Sequence, residues 1–186
     1  IMDNKLLEKY ALLLVKTGIN IQKNQTLVIN SPIECADFTR IVSKIAYVEG
    51  AREVVVTWRD ELSTKIKFTF APEEIFSEYP DWQRDFYVSS ARAGAAFLSI
   101  SASDPELMKD VNPTRLSKSN KAASNAIKEY RDRMMSNKNV WCVASIPTQA
   151  WANKVFPKVS KDEAMEKLWN AIFKTVRVDK IGRAHV

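Results

Sequence analysis

The sequence predicts an α/β protein built on a small, doubly wound and mainly parallel sheet of about four strands flanked by helices. Two observations carry this prediction. Short β-branched runs alternate with segments of helical period, and the third run, in AAFLSISAS, is hydrophobic without alternation. Continuous hydrophobicity is typical of strands that helices cover on both faces. Strands separated by helices connect in parallel through right-handed crossovers.

The first half of the chain supplies two of the strands. A helix over residues 3–17 places its leucines on one face and ends at Gly18 as its C-cap, and the strand TLVIN at 26–30 follows. A second helix, in SPIECADFTRIVSKIAYVEG, leads into the strand EVVVTW. Residues 59–94 show no strong strand pattern, so we expect shorter helices there, one of them opening at Pro72.

The second half supplies the other two strands, in AAFLSISAS and VWCVAS. Asp104 is placed to cap a short helix, and Asn112 to cap a long one that runs unbroken to Met134. The final helix begins at a capping box formed by Ser160 and Glu163. We expect the long helix to turn a mainly apolar set of side chains inward: Leu116, Ala123, Ile127 and Met134.

Length and composition fit one globular domain. The chain has 186 residues, of which 46% are hydrophobic, and it contains no apolar run long enough for a membrane span. Its start carries Asp3 and Glu8 where a signal peptide has a basic region, so we expect no export and no membrane. Cys35 and Cys142 lie in separate apolar segments, which favours reduced thiols and a cytoplasmic protein.

The net charge of +6 raises the question of a nucleic-acid partner. Lysines and arginines are interspersed with acids, however, as in KDEAMEK and KEYRDRMM. This pattern is typical of solvated helix faces rather than of one basic stripe. We therefore expect no nucleic-acid binding.

Polar residues follow the predicted strands, at the edge where ligands gather in open parallel sheets. They are Ser31, Arg59, Asp60, the segment 101–104 and the segment 145–148. Capping of the next helix explains the same residue types and is the favoured interpretation.

Four residues remain as candidates for a substrate cleft or a domain contact: Asp104, Pro147, Thr148 and Trp151. The last three belong to SIPTQAWANKVFP, directly after the fourth strand. The favoured interpretation of the tryptophans Trp141, Trp151 and Trp169 is structural: they pack the final helix onto the sheet, and Trp151 is the candidate exception.

Motifs for chemistry are missing from the sequence. It has four glycines and neither a GxGxxG nor a Walker sequence, which argues against a nucleotide cofactor. No HExxH or CxxC pattern offers a metal site, and Glu73 and Glu74 are adjacent and so diverge on a helix. The single histidine, His185, lies next to the last residue. We assign no catalytic, cofactor-binding or metal-binding residue to this chain.

Three stretches in order resemble the amino-terminal domain of the M29 metallo-aminopeptidases, the aminopeptidase T and aminopeptidase S type. They are GAAFLSISASDPELMKDVNPTRLSKSNKA, VWCVASIPTQAWANKVFP and AMEKLWNAIFKTVRV, and the opening LLEKYALLLVKTGINIQKNQTLVIN is also similar. The resemblance implies a cytoplasmic, dimeric exopeptidase that removes amino-terminal residues from peptides with two divalent metal ions, Zn, Co or Mg. In that family the ligands lie in a carboxy-terminal domain.

The resemblance divides the chain. Residues 1–178 are expected to form the amino-terminal domain, which walls the cleft, supports assembly and is inactive alone. Residues 181–186, IGRAHV, fit no preceding pattern and are expected to be a non-native tail, with the metal-binding domain absent. The alternative is a stand-alone α/β module that binds a small anionic ligand.

Overall fold

The computed structural model describes residues 4–102 and 106–178. Asp104 and the segment 181–186 with His185 lie outside the described residues. The strands are β1 (Thr26–Pro32), β2 (Glu53–Arg59), β3 (Ala96–Ser101) and β4 (Trp141–Ser145). The helices are α1 (Asn4–Leu13), α2 (Ala36–Val48), α3 (Glu61–Phe70), α4 (Asp81–Arg92), α5 (Pro113–Ala126), α6 (Lys128–Met135), α7 (Gln149–Val155) and α8 (Lys161–Thr175).

The four strands form one sheet in the order β2-β1-β3-β4, and each neighbouring pair is parallel. Leu27 of β1 pairs with Val54 on one side and Ala96 on the other, while Phe97 of β3 pairs with Trp141. The predicted α/β class, with its parallel sheet of four strands flanked by helices, is confirmed.

One side of the sheet, called here the first face, carries most of the core. Side chains of α1, α2 and α8 pack there on alternate residues of the strands, such as Leu27, Ile29 and Leu98, which are fully buried. Tyr10 of α1 and Phe38 of α2 stack with ring centroids 5.4 Å apart. As predicted, α8 buries Ala164, Leu168, Trp169 and Ile172 here.

The opposite side, the second face, is covered by α4 and α6. Its buried cluster is small and contains Val28, Phe97, Met134, Ala91 of α4 and Ala95 directly before β3. A buried amide fixes the turn beside it, because Asn139 Nδ2 donates to the carbonyl oxygens of Ala91 and Ala95, each at 2.9 Å.

A third cluster lies beside the sheet and holds α3 in place. Phe68 of α3 stacks on Phe76 with centroids 5.1 Å apart, and Val111 completes the buried set. Arg115 lies 4.9 Å from the centroid of the Phe76 ring, and its Nη1 donates to the carbonyl oxygen of Phe68 at 2.8 Å. One guanidinium thus ties α5 to the carboxyl end of α3.

Of the three predicted N-caps, those at Asn112 and Ser160 are confirmed, and the third, Asp104, lies outside the described residues. Asn112 Oδ1 accepts from the Thr114 amide at 2.9 Å, and Ser160 Oγ accepts from the Glu163 amide at 3.3 Å. Residues 59–94 contain the expected short helices, including a 3-10 turn at Glu73–Ser77 directly after Pro72.

Two helix predictions are corrected. The long helix after Asn112 breaks at Ile127, whose φ of −99° and ψ of 25° leave the helical region, and α5 buries no residue. Only Met134 of the four predicted inward residues is buried. The first helix ends in a π-helical turn, Leu14–Gly18, in which Gly18 allows close approach to β4: a Cβ there would lie 3.0 Å from Cys142 Sγ.

The packing predicted for Trp141 is wrong. Its side chain lies on the second face, beside Phe97, where Nε1 donates to the carbonyl oxygen of Met134 at 3.1 Å, and it is 43% exposed. Within the described residues, no helix combines the length and the apolar character that crossing a bilayer requires.

Candidate functional site

The carboxyl ends of all four strands lie at one edge of the sheet, since the strands are parallel. The chain leaves the carboxyl end of β1 for α2 on the first face, whereas from the carboxyl end of β3 it continues to α5 and then to α6, which lies on the second face. Neighbouring strands whose connections depart to opposite faces leave a crevice between them at this edge. The gap beyond β1 and β3 is therefore the place to look for a ligand site.

Ser31 at this edge has a structural role. Its hydroxyl is fully buried and lies 2.8 Å from that of Thr39 in α2, which in turn donates to the carbonyl oxygen of Cys35 at 2.9 Å. Ser31 Oγ also donates to the carbonyl oxygen of Pro32 at 3.0 Å. These bonds join the end of β1 to the start of α2 and leave the hydroxyl inside the protein.

Arg59 and Asp60 likewise hold the edge together. Arg59 Nη2 donates to the carbonyl oxygen of Ile100 at 2.7 Å, which ties the ends of β2 and β3 across β1. Asp60 caps α3 by accepting from the Leu62 amide at 3.0 Å and from the Ser63 hydroxyl at 2.6 Å. The Ser63 hydroxyl is the main cause that lowers the pKa of the Asp60 carboxyl.

A cleft of about 420 Å³ opens at the same edge. Residues just beyond the ends of all four strands line it. The cleft therefore exists because the parallel strands all end at the same edge of the sheet. Its lining combines two carboxylates with apolar and uncharged polar groups: Glu34, Glu61, Leu62, Ala102, Leu107, Pro147, Thr148, Gln149, Ala150 and Met165.

Two of the four predicted site residues meet in this cleft. Pro147 and Thr148 both line it, and Thr148 Oγ1 also caps α7 by accepting from the Trp151 amide at 3.2 Å. Trp151 packs against the core of the first face instead. Asp104 lies outside the described residues. A role of these four residues toward substrate stays a prediction.

The sequence reasoning missed the charged residues of the cleft. Glu34 and Glu61 come two residues after the ends of β1 and β2, just beyond the positions that the strand patterns singled out. A strand pattern in the sequence ends with the strand, so it gives no information about residues in the turn that follows. Only the observed bounds of β1 and β2 show that both carboxylates belong to the same cleft.

The residues present do not fit a catalytic metal ion. Across residues 4–102 and 106–178, no group of three or more histidine, cysteine, aspartate or glutamate side chains could hold one. The thiols are not activated either. Burial raises the pKa of Cys35 to about 11 and also raises that of Cys142, so both stay protonated near neutral pH.

Comparison with known proteins places these features in a family. Residues 3–182 match the family described as thermophilic metalloprotease (M29). The chain is 49% identical over 176 residues to aminopeptidase 2 of Geobacillus stearothermophilus, and 41% identical to the aminopeptidase AmpS of Bacillus subtilis. These matches cover 95% and 94% of this chain, but 43% and 42% of the relatives.

A solved structure agrees. Wild-type AmpT from Thermus thermophilus superposes with a TM-score of 0.85 at 32% identity, over 91% of this chain and 43% of that one. The fold and the family profile thus match over nearly the whole chain, which spans less than half the length of these relatives. The chain belongs to the M29 family of metallopeptidases, whose relatives named here are aminopeptidases.

Proposed function

We propose that this chain is the amino-terminal domain of a metal-dependent aminopeptidase, and that it walls the active-site cleft and supports assembly of the enzyme. One observation carries the proposal. Aminopeptidase 2 matches 95% of this chain, yet the chain spans only 43% of that relative. In this proposal the parent enzyme removes amino-terminal residues from peptides in the cytoplasm, and two divalent metal ions, Zn, Co or Mg, are bound outside this chain.

The shape of the cleft supports a wall function. Leu62, Leu107 and Met165 give it apolar surface at the carboxyl edge of the sheet. Such a surface can position a peptide and keep water away from it while another part of the enzyme performs the reaction. Arg59 joins the ends of β2 and β3, and the Ser31–Thr39 pair joins the end of β1 to α2, so the wall is held in place.

The charge of the cleft disfavours the alternative, a stand-alone module for a small anionic ligand. Among the described residues that line the cleft, two carry carboxylates and none carries a cation. The described lining therefore offers an anion no cationic partner, whereas the amino terminus of a peptide is a cation, for which a carboxylate is the suitable partner. Because the described residues include no set of metal ligands, we expect the chain to hydrolyse nothing alone.

The test begins with the source DNA. The reading frame should continue past Val178 into a segment of roughly the length that the relatives add. The full product should release the chromophore from an aminoacyl p-nitroanilide, with the rate lost in chelator and restored by Co²⁺ or Zn²⁺. The 186-residue chain should show no release with either metal, and neither ion should raise its melting temperature.

Three results would count against the proposal. A native stop codon directly after this segment removes the second part of the enzyme. A full product without metal-dependent aminopeptidase activity removes the function. A small anion that raises the melting temperature of the 186-residue chain favours the binding module instead. The oligomeric state, expected to be a homodimer for the full product, is read by light scattering.

A further inference from the structure

Helix α3 exposes an apolar stripe that nothing in the described part of the chain covers. Leu62, Ile66 and Phe70 follow one another at four-residue spacing and are 59%, 58% and 79% exposed. Residues four apart lie on the same side of a helix, so the three side chains form one row about 12 Å long. Amphipathic helices normally turn such a row toward the core.

The helix is not simply loose, because its opposite side is firmly held. Phe68 points about 200° around the helix from Ile66. It is 9% exposed and stacks on Phe76, and Arg115 binds the carbonyl oxygens of Phe68 and Thr69. The fold therefore fixes α3 in an orientation that presents the stripe outward. Exposed rows of large apolar side chains are typical of contact surfaces.

The stripe is continuous with the cleft. Leu62, its first member, also lines the cleft beside Glu61. Asp60 caps α3 directly after β2, so the stripe starts at the carboxyl edge of the sheet and leads away from it. A body that closes the cleft must sit at that edge, and would meet the stripe first at Leu62.

We propose that the stripe is the docking surface for the following part of the same polypeptide, the part that would complete the cleft. This inference rests on the proposed function. More than half of the length of the matched relatives lies outside the region that this chain spans, which supplies the occupant. Intrachain docking would explain why an apolar row is held rigidly and exposed beside an incomplete cleft.

The experiment uses the full-length protein from the source reading frame, with Phe70 replaced by the photo-crosslinking residue p-benzoylphenylalanine. After irradiation, the expected product keeps the mass of one chain on a denaturing gel. Peptide mapping should show a bond from position 70 to a residue beyond position 186. The same residue at Val48, which is 75% exposed on α2, is the control for random capture and should give no such bond.

A second substitution checks that the apolar row itself makes the contact. Ile66→Asp in the same protein should abolish the intrachain crosslink and lower the melting temperature. Thr64→Asp is the matched control for the crosslink, because Thr64 is exposed on another side of α3 and its hydroxyl bonds only within the helix start, to the carbonyl oxygen of Asp60, so the intrachain crosslink should persist.

The other outcomes overturn either the inference or the proposed function on which it rests. A crosslinked product with the mass of two chains assigns the stripe to a second copy. Equal capture at positions 70 and 48, or none at position 70, shows that the stripe is not a docking surface. An intrachain bond in a protein that lacks aminopeptidase activity keeps the contact but removes the proposed function, so the two failures are distinguishable.

Discussion

The two faces of the sheet differ in how completely they are covered. Within the described residues, the core cluster of the first face has twenty-six buried members, whereas that of the second face has five. Leu98 and Phe97, adjacent in β3, point to opposite faces and are both buried, but in β4 the second-face residues Trp141 and Val143 are 43% and 55% exposed. Coverage on the second face therefore stops before the edge strand.

The difference teaches where the stability of this domain resides. Parallel sheets normally have helices over both faces, and here three helices stabilise the first face while α4 and α6 protect only the middle of the second. We expect substitutions in the first-face core to have the largest effects. The effect of a substitution on the second face should depend on whether it removes a buried hydrogen bond or only an exposed apolar side chain.

The largest effect is expected for Leu98→Ala on the first face. Leu98 is fully buried, and removing its side chain leaves a cavity that costs about 2–5 kcal/mol of unfolding free energy. Val143→Ala on the second face should cost less than about 1 kcal/mol, because that side chain is already half exposed. Urea unfolding of both variants measures the contrast. Equal losses would mean that the two faces are equally packed.

The next effect is expected from a polar contact on the second face. Asn139→Ala removes the donor for the carbonyl oxygens of Ala91 and Ala95, which should cost roughly 1–3 kcal/mol. Asn137→Gly is the control, because Asn137 is exposed with a φ of 54°, which glycine adopts freely. If Asn139→Ala lowers the urea midpoint no more than the control does, the Asn139 amide is not needed for stability.

The third prediction concerns one phenol on each face. Burial raises the pKa of Tyr10 and of Tyr130 to about 12, from an ordinary value of 10.0. The neutral form is favoured in the folded state, so this stabilisation is fully present below pH 10 and is lost as the pH rises toward 12.

Unfolding of the wild type and of Tyr10→Phe and Tyr130→Phe across this range isolates each phenol. Each variant should lose less stability between pH 10 and 12 than the wild type does. A Tyr130→Phe curve parallel to that of the wild type would show that the second face admits water around this ring. In that case the contrast between the faces is larger than the burial of Tyr130 indicates.

The smallest effect is expected for the ion pair between α4 and α6. Arg92 donates to both carboxylate oxygens of Glu129, and the hydrogen bond from Arg92 is the main cause that lowers the pKa of that carboxyl below 4.5. Its contribution is present above pH 4.5 and is lost as the pH falls through the lower folded value. Both groups are exposed, so salt should weaken it.

The measurement compares Glu129→Gln with the wild type in low and high salt at neutral and acidic pH. The two proteins should differ slightly at neutral pH in low salt and converge on acidification or on addition of salt. A difference that persists in high salt would mean that the pair is shielded from solvent.

The sequence predicted the sheet well because its strands are short apolar runs flanked by strong capping signals. Asn112 and Ser160 mark their helix starts correctly, since a cap is a local contact. The break at Ile127 was not predictable, because α5 packs on the third cluster whereas α6 packs on the second face of the sheet, and this difference arises from tertiary contacts.

The cleft was predictable only in part. Pro147 and Thr148 follow a strand end directly, whereas Glu34, Glu61 and Met165 come together through tertiary packing. The exposed row on α3 was hidden for a related reason. Its helical spacing is visible in the sequence, but a pattern alone does not tell whether a row faces the core or solvent. The structure makes that distinction, because Phe68 stacks on Phe76 and so shows which side of α3 faces the core.

The strand order has a consequence for how the protein is made. β2 joins β1, β3 then joins the other side of β1, and β4 joins β3. Each strand therefore extends an edge of the sheet that already exists, and none has to insert between two paired neighbours. The sheet can grow in the order in which the ribosome releases its strands, so the centre of the domain is in place before its last helices are synthesised.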